Sequence, residues 1–450
     1  MMPETVQPSA LDRGQSITGV SPLAARAYLI NVAESIQNVL LPELRGKPKA
    51  ESRALDCLGT VTRLAAQFDT PQGSLLQSLE QLAAAPVSAN ASAAAIEANA
   101  LEAAEVEAAK LLDSIVKAAT VPGRNFEQSR LENYLRAHPL GGPGLRVTSA
   151  NQLQGGRSKQ TILVSQQGAR DLPEDLVVRQ DWVSAVTGTS VFSEFEVLKR
   201  VWEAGIRVPK PLILETGADA LGSPFIVVTR LAGKLEGDMF APPIRETLAL
   251  QLAEQVGRLH ALKAADFVGL PGIHEHSYTQ EQLRAELADI RGVIEKLGVP
   301  SQTVNVALQW LDANVSRVEG PRTLVHGDIA FHNLLCNGEE LTAVLDWELA
   351  HIGSPARDLG YLKSGIEMMT TWPRFMEAYR KGGGPDLSPF LVDFYTLFSS
   401  VWLYQLLLKA NAGICGGMIH DMEVTYVCAH STPRLLARMS RELRAVLAKR

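Results

Sequence analysis

The spacing of apolar residues changes character twice along this chain, and each change marks a boundary. From Ser21 to about residue 119 the pattern is helical. Ser21-Pro22 offers an N-cap followed by a first-turn proline, and Leu29, Val32, Ile36 and Val39-Leu40 then recur at helical spacing. A second helix is expected over residues 51–68, ended by Asp69-Thr70-Pro71, and the Ala- and Glu-rich run 91–119 reads as one long helix or a pair. Residues 1–20 are polar and read as a disordered tail, and residues 21–120 as a helical accessory domain without a catalytic constellation. Beyond the break at Val121-Pro122-Gly123 the apolar runs shorten. Strands are expected at 161–164, 176–179, 211–214 and 225–229, with a helix over 191–204 between the second and third. Four strands and one helix make a small α+β lobe, residues 125–233. Residues 234–450 read as a helical C-lobe with the catalytic loop; from Pro242 onward helical patterns dominate, interrupted once by short strands between Thr323 and Leu345.

Composition narrows the function classes. A chain of 450 residues predicts two or three domains. The net charge of −6 gives no drive toward nucleic acid or anionic lipid, so neither is expected as a partner. The most apolar stretch, residues 394–408 between Asp393 and Lys409, reads as a buried helix too short to span a bilayer. The first residues show neither a basic n-region nor an apolar h-region, so no secretory signal is expected. Cys57, Cys336, Cys415 and Cys428 form no CxxC pair and no zinc spacing. Scattered thiols fit a reducing compartment, and a cytoplasmic location is expected.

The candidate chemistry lies between Thr323 and Tyr361. Residues 323–325, 334–336 and 341–345 read as strands, and Asn337-Gly338 as the turn of a hairpin. Asp328 precedes that hairpin and Asp346 follows it, which brings both carboxylates to one end of the ribbon. This arrangement suits phosphoryl transfer, which needs positioning and charge neutralisation more than covalent help. Asp328 can accept the acceptor's hydroxyl proton. Asn333, in Asp-x4-Asn spacing, and Asp346 can hold magnesium through hard oxygen donors. The strings His326-Gly327-Asp328-x4-Asn333 and Asp346-Trp347-Glu348 follow the protein-kinase logic of H-R-D-x4-N and D-F-G.

With Val344-Leu345-Asp346-Trp347-Glu348 and Gly353-Ser354-Pro355-Ala356-Arg357-Asp358-Leu359, these strings resemble the aminoglycoside phosphotransferase (APH), or choline-kinase-like, family. They are most similar to the branch found as the kinase domain of acyl-CoA dehydrogenase-like fusion proteins. The resemblance covers about residues 130–440. It implies a bilobal, protein-kinase-like α+β fold, with a small β-rich N-lobe and a large helical C-lobe, preceded here by the all-helical N-terminal module. It also implies ATP and Mg²⁺ as cofactors and a hydroxylated small molecule as partner. In the smaller lobe, Gly155, Gly156, Ser158 and Thr161 resemble a phosphate-covering turn, Arg179 the cation that meets the α- and β-phosphates, and Glu194 its helical partner. Val228 and Arg230 belong to the string resembling the hinge beside adenine. Lys159 stands where the family has Asn, and Ser354 where it has Asp, which puts the anchoring of that loop in question.

Other residues carry plainer readings. His326 is expected to hold the catalytic loop through hydrogen bonds, although it neighbours the base. Glu348 either supports magnesium or caps the following helix. Asp358 reads as an anchor for the catalytic loop, His260 as a satisfied core histidine and Trp347 as packing. Arg179 with Glu194 is open to reading as a surface pair worth little. Two acceptor classes compete: a hydroxyacyl-CoA-like metabolite, and an aminoglycoside- or macrolide-like compound. The apolar look of 390–395 and 403–408 leans toward the metabolite. The alternative is a catalytically silent kinase-like binding or scaffold protein, which Lys159 and Ser354 would support.

Overall fold

The computed structural model describes residues 127–449 apart from 154–158, 182–189, 239, 275–278, 298–300 and 416–421. The tail 1–20 and the helical module 21–120 expected from sequence lie outside these residues. The described residues fall into two compact units, one comprising 284–315 and 397–449, the other 127–283 and 316–396.

The larger unit opens with α1 (Gln128–Ala137), β1 (Arg146–Gln152), β2 (Lys159–Gln167), β3 (Asp175–Asp181), α2 (Val191–Glu203), β4 (Pro211–Glu215) and β5 (Phe225–Thr229). The strands form one antiparallel sheet in the order β1-β2-β3-β5-β4. Period-two alternation sends Ile162, Val164, Leu176, Val178, Phe225 and Val227 to one face, where they bury Leu131 and Leu135 of α1. Each such side chain contributes about 1.5–3 kcal/mol by burial. The continuous run Phe225-Ile226-Val227-Val228 is buried throughout, and α2 packs beside β4 and β5. Helix α2 starts at Ser190, whose hydroxyl accepts the Phe192 N–H.

The sheet has a fifth strand and the lobe a second helix that the sequence pattern did not single out. β1 reads Arg-Val-Thr-Ser-Ala-Asn-Gln and buries only Val147, because it is an edge strand and needs little apolar patterning.

The chain continues through β6 (Lys234–Leu235), α3 (Glu246–His260), α4 (Gln280–Leu297), α5 (Gln302–Asn314), β7 (Thr323–Val325), β8 (Leu334–Asn337), β9 (Glu340–Val344), β10 (His351–Gly353), α6 (Ala356–Met369), α7 (Trp372–Lys381), α8 (Pro389–Cys415) and α9 (Met422–Leu447). β6, β8 and β9 form a three-stranded sheet, and β7 pairs with β10. The hairpin register pairs Asn337 with Glu340, so the two-residue loop is Gly338-Glu339 rather than Asn337-Gly338. Gly338 takes the positive φ of +60° that the first loop position requires. β10 was hidden in sequence by its length of three residues. Helices α3 and α7 meet at backbone contact: a Cβ on Gly257 would lie 2.1 Å from the Tyr379 carbonyl oxygen.

The apolar segment expected to be too short for a bilayer is part of the longer helix α8. Asp393 and Lys409 do not end it, because single charges do not interrupt helical hydrogen bonding. By length and composition, Pro389–Ile414 is the one described helix that could cross a membrane, and 83% of its most apolar window is buried within the protein. Phe394, Tyr395, Leu403, Leu407 and Leu408 are all core residues. The apolarity of these segments therefore reflects interior packing and does not bear on the acceptor.

Candidate active site

The catalytic loop leaves β7 through His326, Gly327 and Asp328. Gly327 has φ +82°, and a Cβ there would sit 2.3 Å from the Leu349 carbonyl oxygen, so only glycine fits. The His326 Nε2–H donates to the Leu345 carbonyl at 3.0 Å, while Nδ1 accepts the Asp328 N–H at 3.2 Å. That pattern requires a neutral ring, and burial does lower its pKa. His326 thus ties the loop to the end of β9.

Asp358, in the first turn of α6, accepts the backbone N–H groups of His326 and Gly327 at 2.7 and 3.0 Å. Its second neighbour is His260, whose Nε2 lies 3.1 Å away, and the Tyr379 hydroxyl meets His260 Nδ1 at 3.0 Å. Burial works against the Asp358 charge, but the hydrogen bond and charge of His260, with the loop amide, hold it below the usual carboxylate range. Ser354 takes no such part: its hydroxyl is buried without a hydrogen-bond partner. The doubt over loop anchoring is answered by Asp358.

Asp328 is held at both oxygens. Asn333 Nδ2 donates to Oδ2 at 3.2 Å and to the Asp328 carbonyl at 2.9 Å, and the Tyr361 hydroxyl donates to Oδ1 at 3.1 Å. Burial first, and the nearby Asp346 charge second, push its pKa up to about 7. The Asn333 carbonyl in turn accepts the Leu345 N–H, which draws the loop against the hairpin end.

Asp346 is the only described non-glycine residue with positive φ, at +67°. A left-handed aspartate costs about 1–3 kcal/mol and is held there by its surroundings. Arg179 Nη2 donates to its Oδ1 at 2.9 Å across 167 residues of sequence. The same guanidinium lies 3.4 Å from Glu194, which is 1% exposed, so this is a buried pair and not a surface one. Burial raises Glu194 to about 7 even beside the arginine. Glu348 meets Lys159 at 3.5 Å, and Lys159 also meets Asp181 at 3.2 Å. Glu348 is not the N-cap of the next long helix: that position in α6 is Pro355, with no side-chain cap hydrogen bond. Trp347 is buried, its ring against His326.

The remaining residues of the nucleotide expectation are spread differently. Gly155, Gly156 and Ser158 lie outside the described residues. Thr161 pairs directly with Arg179 across β2 and β3, and Val228 is buried in β5 opposite Val177. Arg230 is exposed and sits 3.8 Å from Asp175, at the end of β3 remote from Arg179. The structure does not bring it to the other candidates. Sequence reasoning noticed Lys159 only as a departure and gave Tyr361, Asp181 and Arg207 no role. Tyr361 was within reach, because it lies three residues after Asp358 on α6 and so shares its helical face. Arg207 ties the hairpin to α3 through the Leu341 carbonyl, Gln251 and Gln255.

The donor set can be tested against a divalent cation. Four carboxylates, Asp181, Glu194, Asp346 and Glu348, meet two cations, Lys159 and Arg179. Asn333 spends its amide nitrogen on Asp328 and keeps its carbonyl oxygen as a donor. Excess carboxylate and a free amide oxygen suit a hard cation such as magnesium. No group of three His, Cys, Asp or Glu with metal-binding geometry occurs among the described residues.

Residues 149–391 match the family model described as APH, phosphotransferase enzyme family. Acyl-CoA dehydrogenase family member 11 of Rattus norvegicus is 26% identical over 276 residues, covering 58% of this chain and 33% of the relative. The Gallus gallus protein of the same name is 28% identical over 267 residues, covering 57% and 33%. The chain thus spans about one third of the length of these curated relatives. Among solved structures, the GDP complex of aminoglycoside 2'-phosphotransferase-IIIa is similar at a TM-score of 0.52 and 20% identity, over 71% of this chain and 99% of that one. A Ralstonia eutropha protein described as a candidate aminoglycoside phosphotransferase gives 0.55 and 17%, over 71% and 99%. These identities speak to a shared kinase-like fold of mixed helices and sheets.

Proposed function

The chain belongs to the phosphotransferase enzyme family, and from that premise we propose that it moves the γ-phosphate of ATP to a hydroxyl group of a small molecule. The carrying observation is the convergence of Asp328, Asn333 and Tyr361 beside an Asp346 already joined to Arg179. In this reading the acceptor hydroxyl gives its proton to Asp328 as its oxygen bonds to the γ-phosphorus. The bond from that phosphorus to the β-γ bridging oxygen breaks, and ADP leaves. Asp328 is suited to the task because its raised pKa places proton acceptance near neutral pH. Arg179, oriented by Glu194, is the cation assigned to the α- and β-phosphates, with Thr161 beside it and the Val228 end of the sheet toward the base. Asp346 and Asn333, with Glu348 nearby, would hold magnesium, which offsets phosphate charge when bound.

The proposed lobes are 125–233 and 234–450. A silent scaffold is the weaker reading, since base, amide and acid are all present and two of them share a hydrogen bond. For the acceptor, the acyl-CoA dehydrogenase-named relatives favour a hydroxyacyl thioester over an aminoglycoside or macrolide. The buried thiols of Cys336 and Cys428, neither in a disulfide, fit the cytoplasm, which we propose as its compartment. Radiolabelled ATP with Mg²⁺ and a panel of hydroxyacyl-CoAs, amino sugars and macrolides tests the reading. Label transfer to a hydroxyacyl-CoA is expected, and no transfer to any hydroxyl compound would return the protein to the binding-only class.

A further inference from the structure

We propose that Lys159 is a second phosphate-binding cation, addressed to the terminal phosphate of the bound nucleotide; this rests on the nucleotide-binding reading above. β2 and β3 pair so that Thr161 faces Arg179 and Lys159 faces Asp181. Residues two apart on a strand share a face. Lys159, Thr161, Arg179 and Asp181 therefore line one face of the sheet, opposite the face that buries Ile162 and Val178. Along this face Val177, beside Val228, lies on one side of Arg179 and the Lys159–Asp181 pair on the other. The step from Arg179 to that pair is about 7 Å. A nucleotide whose base lies at the Val228 end would run its phosphates past Arg179 toward Lys159.

The two cations repeat one arrangement. Arg179 joins Glu194 of the sheet lobe to Asp346, and Lys159 joins Asp181 of the sheet lobe to Glu348. Asp346 and Glu348 are two positions apart in one short segment. Lys159 is only 2% exposed. Burying an ammonium is costly even when it is paired, and an apolar side chain of similar size would fill the space at lower cost. A compact ammonium with three donors suits phosphate oxygens. When nucleotide enters, its terminal phosphate takes Lys159 from Glu348, leaving that carboxylate available beside Asp346.

The test is equilibrium binding of a non-hydrolysable ATP analogue and of ADP, both with Mg²⁺, to the full chain. Lys159→Met is expected to weaken the triphosphate by about tenfold or more while changing ADP affinity by less than about threefold, and Lys159→Arg to recover most of the loss. Equal losses for both nucleotides, or no loss, would make Lys159 a structural brace and overturn the proposal. Because Lys159→Met leaves Asp181 and Glu348 without their cation, the same comparison is made between Asp181→Asn and Lys159→Met/Asp181→Asn. The triphosphate-selective loss must persist in that pair. Unmodified protein that binds neither nucleotide would instead overturn the nucleotide reading itself.

Discussion

The two sides of the catalytic loop are built on different principles. Behind it, Tyr379, His260 and Asp358 form a buried chain that ends on the loop amides, with both rings of the chain hydrogen-bonded and Asp358 accepting three donors. In front, Asp346 is left-handed, and Arg179 Nε and Glu194 Oε2 lie 3.4 Å apart without hydrogen-bond geometry. There acids outnumber cations. A satisfied network in low dielectric is rigid, whereas an incompletely bonded one leaves costly unpaired polar groups that a ligand can still pair. The rear side is thus suited to fixing the loop and the front to receiving a charged ligand.

The comparison is broken most severely at the base. Asp328→Ala should lower turnover by about 10²–10⁴-fold while ATP affinity is retained, as steady-state kinetics and nucleotide titration would show. An equal loss in both would move Asp328 from chemistry to scaffolding. On the rear side, Asp358→Ala strips acceptors from His260 and from two loop amides. It should cost about 3–5 kcal/mol in chemical denaturation. If the cost were under about 1 kcal/mol, the rear network would not be the anchor described here.

The pH profile sharpens the front side. As the proposed base Asp328 must be a carboxylate, and its pKa is raised to about 7 by burial and then by Asp346. Protonation below that value removes the base, so kcat/KM should fall about tenfold per pH unit as pH drops below 7. A limb near pH 4 would mean that the Asp328 carboxyl of the free enzyme is not raised by its burial. The smallest effect is expected at Arg230. Its exposed contact with Asp175 lies away from both networks, so Arg230→Ala should change stability by no more than about 0.5 kcal/mol and leave nucleotide affinity intact.

The catalytic segment was legible because its chemistry is contiguous. The Asp328-to-Asn333 spacing, the hairpin and Asp346 all lie in one run, where local turn rules and donor chemistry suffice. The four sheet strands called from sequence were legible for the same reason, since alternation is local. β1 escaped because an edge strand needs few apolar residues, and the hairpin turn slipped by one residue because Asn337 and Gly338 both tolerate positive φ. The length of α8 is not legible from its flanking charges, because Asp393 and Lys409 do not interrupt the helix.

By itself, then, the order of residues determined which groups could do chemistry and which short elements carry them, because turns, alternation and metal-donor character act over a few positions. Only the tertiary structure decided their partners. Arg179 finds Asp346 across 167 residues, Lys159 finds Glu348, and His260 finds Asp358. Such pairings follow from sheet register and helix packing, which sum over the whole lobe, so no local window of sequence contains them.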